Sequence, residues 1–63
     1  MCESNVYIKN ENSEELVMEN VAAIIPVEET RYLLKGLLGE NKEINGRIAD
    51  INLMNHKILF QAV

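Results

Sequence analysis

Cys2 is the residue of this chain with the most obvious chemical handle. It is the sole cysteine among 63 residues, beside a single histidine, His56. A free cysteine is often a small buried hydrophobe, but position two is a poor place to bury one, because chain ends pack poorly. A small second residue normally permits removal of the initiator methionine. The α-amine and the thiolate of Cys2 would then close a five-membered chelate ring. If Met1 stays, its amine, the Cys2 backbone nitrogen and the thiolate form an alternative chelate. Nitrogen and thiolate donors in a plane suit Ni(II) or Cu(II), whereas zinc prefers a tetrahedral shell. One chain supplies two or three donors, and two chains meeting at a two-fold axis supply four. Cys2 is therefore the candidate metal ligand. His56 reads as a turn residue holding strand ends, with a secondary ligand role as the sharper alternative. A catalytic Cys–His pair would need the N-terminus to reach the Met54-to-Lys57 turn.

The bulk numbers limit the alternatives. One cysteine excludes an internal disulfide framework, and one Cys with one His excludes a four-ligand zinc site within the chain. An unpaired cysteine fits a reducing, cytoplasmic setting. The length fits a single domain over 1–63, one that buries only ~60% of its unfolded surface. Dimerisation is the expected source of further burial. The net charge is −4, and the six basic residues (Lys9, Arg31, Lys35, Lys42, Arg47, Lys57) include no adjacent pair. This is a poor match for a phosphate backbone. No apolar run approaches a membrane span, and no basic-then-apolar leader opens the sequence.

The elements that must position Cys2 read as strands. Lys42 to Leu53 has the clearest period of two, with Ile44, Gly46 and Ile48 on one face. The phase then slips, since Ile51 and Leu53 are odd-numbered. Keeping them inward requires an extra residue near Ala49-Asp50, a bulge or sharp bend. Asn5–Lys9 predicts a strand with Val6 and Ile8 inward. Asn10 to Glu14 is a polar turn. Glu15–Glu19 is a short strand, preferred over a helix that Asn12 and Glu15 could cap. Val21–Val27 is another, with Ala23, Ile25 and Val27 sharing a face and Pro26 at an edge or bulge. Tyr32–Leu37 leads through Leu38 to Asn41 into the longest strand, and Met54 to His56 turns into the last, Lys57–Ala62. About six short strands make a small all-β sandwich or barrel. No connection is long enough for a parallel crossover, and the two terminal strands can pair to close the ring. Of the doubled apolar positions, one of each pair must point away from the core, which predicts several of Ile24, Leu33 and Leu38 in a dimer interface.

Nearly the whole chain resembles the CooT family of small nickel-binding proteins, formerly labelled predicted RNA-binding proteins. The likeness rests on Met1-Cys2-Glu3, Val17-Met18-Glu19-Asn20-Val21, Leu37-Leu38-Gly39-Glu40, and Ile44 to Leu53 running into His56-Lys57-Ile58. Gly36 departs from it, at a surface or turn position where an acidic residue is expected. The resemblance implies an SH3-like antiparallel barrel, a homodimer, and Ni(2+) held by Cys2 of both chains. It also implies nickel handling in maturation of carbon monoxide dehydrogenase, through contact with a nickel-enzyme maturation partner. The competing readings are an RNA-binding barrel and an SH3-type peptide module. The first lacks charge and stacking aromatics, with only Tyr7, Tyr32 and Phe60 available. The second lacks the tryptophan such grooves use. An enzyme is the least expected reading, because the carboxylates fall mostly in turns and outward strand positions.

Overall fold

In the computed structural model, which describes residues 3–63, five strands form a closed barrel in the order of the chain. They are β1 (Ser4–Lys9), β2 (Glu14–Glu28), β3 (Arg31–Gly36), β4 (Asn41–Asn52) and β5 (Lys57–Ala62). The described residues include no helix, so none is long and apolar enough to cross a membrane. Each strand runs antiparallel to the next, and β1 closes the ring on β5 in parallel, with Asn5 opposite Lys57 and Lys9 opposite Gln61. Parity requires this. In an up-and-down meander of five strands, the first and the last point the same way. The connection-length argument against parallel pairing applies to neighbouring strands, and here the rest of the barrel is the connection.

The strand count is five because β2 runs unbroken through 15 residues, joining the two short strands expected on either side of Asn20. Asn20 takes a left-handed backbone, φ 52°, which asparagine tolerates better than most residues. It bends β2 without breaking it. The first half of β2 pairs with β1 and the second half with β3. A bulge between Val21 and Ala23 then inverts the faces predicted for the second half. Ile24 packs against the core, while Ile25 and Val27 are exposed. Ile24 is thereby withdrawn from the outward set, and Leu38 is almost fully exposed at 89%. The bulge in β4 lies where the phase slip predicts it, between Ile48 and Asp50. It restores Ile51 to the inner register opposite Ile58. Ile51 is nonetheless 52% exposed, and Leu53 lies beyond the strand end at 70%. Neither belongs to the core.

The core is small: Val6, Val21, Leu34, Ile44 and Phe60, with Ile8, Val17, Met18, Ile24, Tyr32 and Ile58 packed around it. Phe60 meets Tyr32 edge-on at 5.1 Å, a favoured aromatic geometry. Gly36, expected at a surface or turn position, is instead buried at the end of β3. A Cβ there would run into the Glu40 carboxylate, 2.8 Å from its Cδ. At Gly46 the obstruction is backbone instead of side chain. Its N–H donates to the Thr30 carbonyl at 2.7 Å, and a Cβ would lie 2.8 Å from the backbone oxygen of Gln61. That backbone belongs to β5 and cannot swing aside as a side chain can. Gly46→Ala is expected to cost about 1–3 kcal/mol through overpacking, measurable by urea denaturation. An unchanged midpoint would contradict this close approach.

On the outer surface, Asn10 Oδ1 accepts from Asn12 N, Ser13 N and Ser13 Oγ at 3.2, 3.1 and 3.0 Å. This satisfies the turn that leads into β2. Lys57 Nζ reaches across β1 to Glu14 at 2.7 Å and sits 4.8 Å from the centre of the Tyr7 ring. The Glu14 hydrogen bond raises the Lys57 pKa.

Candidate metal centre

Cys2, the expected ligand, lies outside the described residues. What the structure describes is the platform from which that end of the chain emerges. Asn5, the second residue of β1, donates from its backbone nitrogen to the His56 carbonyl at 2.8 Å. The Asn5 side-chain oxygen accepts from Asn20 N at 3.1 Å. The Asn20 carbonyl in turn accepts from Leu37 N at 2.9 Å. One chain of hydrogen bonds thus ties the root of β1 to the bend of β2, to the β3–β4 turn and to the β4–β5 turn. The left-handed backbone of Asn20 turns its N–H and C=O toward these two partners instead of continuing a flat ladder.

The β4–β5 turn is held locally as well. Asn55 N donates to Asn52 Oδ1 at 3.1 Å, His56 N donates to the Leu53 carbonyl at 3.3 Å, and His56 has a left-handed φ of 54°. The His56 backbone thus lies beside the start of β1. Sequence spacing hides this, since Asn5 and His56 are 51 positions apart. The signal that could have found it is strand parity: in a five-strand meander, the turn before the last strand lies beside the start of the first.

The two turns joined by this network carry exposed apolar side chains: Leu37 at 46%, and Leu38, Leu53 and Met54 more exposed still. Among the described residues, no group of three or more His, Cys, Asp or Glu side chains is arranged to hold a metal ion. Any site at this end needs donors from residues 1 and 2, from a second chain, or from both. The barrel interior is filled by side chains, and no pocket opens among the described residues.

Among the described residues, the three aromatic rings are engaged within the barrel wall. Phe60 is fully buried and Tyr32 packs against it. The Tyr7 ring is covered by Lys57. Arg31 is engaged by Glu28 at 3.2 Å and Glu43 at 3.6 Å. Its buried Nε makes no hydrogen bond, so its compensation there is ionic.

Comparison with known proteins follows the same lines. The model of a protein family described as "CO dehydrogenase accessory protein CooT" matches residues 1–61. The crystal structure of a protein assigned as CooT from Carboxydothermus hydrogenoformans superposes with a TM-score of 0.88. It shares 35% sequence identity, with 98% of each chain covered. No curated protein matches the chain.

Proposed function

Because the chain belongs to the CooT family of CO dehydrogenase accessory proteins, we propose that it acts in maturation of that enzyme as a nickel carrier. Cys2 is the metal ligand in this reading. The observation that supports it most is the family match over residues 1–61 in a chain whose sole cysteine stands at position two. Thiolate and amine or amide nitrogen make a donor set that favours Ni(II) or Cu(II) in planar geometry. The cargo is Ni(2+), and two chains in a homodimer contribute both Cys2 thiolates to one ion. The exposed Leu38 and its neighbours on the two turns give a second copy an apolar surface beside the N-terminus. A barrel with so small a core gains from such burial.

An exposed site passes its metal on by ligand exchange. An incoming donor attacks the ion while one thiolate leaves, and the barrel itself does not open. Protons compete for the same donors, so nickel affinity falls as pH is lowered. The test is activation of nickel-deficient carbon monoxide dehydrogenase by the nickel-loaded protein. At matched total nickel, activation is expected to be faster than with the free ion. Equal rates would contradict a delivery role.

A further inference from the structure

We propose that Asn45 is a latent deamidation site, held shut in the folded barrel by the backbone of Gly46. The inference is independent of the nickel reading. Of the eight asparagines in the chain, Asn45 alone precedes a glycine. That pairing is the most reactive for this chemistry, because no side chain on the following residue obstructs its nitrogen. The Gly46 nitrogen attacks Cγ of Asn45, and the side-chain amine leaves as ammonia, taking the proton of the attacking nitrogen. A five-membered succinimide results. Water then opens the ring at either carbonyl, giving aspartate or isoaspartate. The balance is amide plus water to acid plus ammonia, with no oxidant or reductant.

Packing forces this reactive neighbour on the fold. Gly46 does not have a left-handed backbone, so its conformation does not call for glycine. Space does, since a Cβ there would lie 2.8 Å from the backbone oxygen of Gln61. The barrel therefore cannot quiet Asn45 by placing a larger residue after it without overpacking.

The same close approach supplies the protection. Asn45 is exposed, so burial is not what guards its amide. The attacking nitrogen must give up its proton, and the Gly46 N–H is donated to the Thr30 carbonyl at 2.7 Å. Ring closure also brings the Gly46 nitrogen into line with the Asn45 Cβ around the Cα–C bond. An extended strand holds those two atoms apart. Asn45 stands opposite Arg31 on β3, and Gly46 opposite Ala62 on β5, so β4 changes partner between them. Turning that bond breaks the ladder on both sides. Deamidation therefore proceeds only through local opening, at the intrinsic rate multiplied by the open fraction. The isoaspartate product adds a methylene to the main chain at this junction, which spoils the register of β4. Each conversion is thus a one-way record of time spent open.

The experiment incubates the full-length protein in mildly alkaline buffer, native or denatured in guanidinium chloride. Trypsin then releases Glu43 to Arg47, whose only asparagine is Asn45, and mass spectrometry follows its conversion. NMR follows exchange of the Gly46 amide in the same buffers. In the denatured chain, Asn45 is expected to convert before the other asparagines. In native buffer its conversion is expected to be at least about tenfold slower, and to rise with sub-denaturing guanidinium in step with Gly46 exchange. The proposal is overturned if another asparagine converts first in the denatured chain. It is overturned equally by a smaller slowing on folding, or by a conversion rate that stays flat while Gly46 exchange accelerates. The isoaspartate form, separated by charge, is expected to denature at lower guanidinium than Asn45→Asp. Equal midpoints would overturn the stated effect on the ladder.

Discussion

Replacing Cys2 by serine is expected to lower Ni(II) affinity by at least about a hundredfold while leaving the barrel folded. Residues that only orient a metal ligand typically contribute 10–100-fold when removed, and Cys2 is proposed as the ligand itself. Serine is nearly isosteric, but its hydroxyl does not ionise near neutral pH and its oxygen is a poorer match for nickel than a thiolate. In a two-fold dimer, one substitution removes two thiolates at once. The fold should tolerate the change, because the paired ladder begins at Ser4 and the buried core runs from Val6 to Phe60. Circular dichroism and the thermal midpoint of the metal-free variant should match wild type. Nickel affinity within tenfold of wild type would remove Cys2 from the account.

Phe60→Ala should unfold the protein at 37 °C. Phe60 is fully buried, packs edge-on against Tyr32, and stands between Ile8 on β1 and Ile48 on β4 in the ladder. Removing a buried ring costs about 3–5 kcal/mol. A core this small supplies about that much net stability in total. Phe60→Leu keeps most of the volume and should cost less than half as much. Urea denaturation of both variants measures this, and a loss below about 1.5 kcal/mol in Phe60→Ala would contradict the placement of Phe60 at the centre of the barrel. Because nickel is proposed to bind only the folded state, saturating Ni(II) should partly restore Phe60→Ala.

How much of this was legible in the sequence depended on which interactions were local. The inward positions Val6, Ile44 and Phe60, and the bulge after Ile48, were readable from period-two alternation. That signal fails wherever the backbone leaves extended geometry. In the sequence Asn20 looks like a break between two strands, because a polar residue between apolar runs resembles a loop. Its left-handed backbone keeps β2 continuous and, with the bulge after Val21, turns Ile24 inward and Ile25 outward. Gly36 looked like a surface departure because its neighbour Glu40 closes over it only once the hairpin has formed. For the candidate site, Cys2 stood out by residue type alone. The proximity of His56 to the N-terminus did not, since it follows from ring closure between the first and last strands, a contact that no local pattern records.

The measurement that bears most directly on the central claim is native mass spectrometry of the purified protein, with and without one equivalent of Ni(II). The account predicts a dimer that takes up one nickel ion, with uptake lost in Cys2→Ser. The same spectrum reports whether Met1 is retained, and so which nitrogen accompanies the thiolate. A protein that takes up no nickel, or takes it up equally in Cys2→Ser, would contradict the carrier role and leave only the barrel and its family.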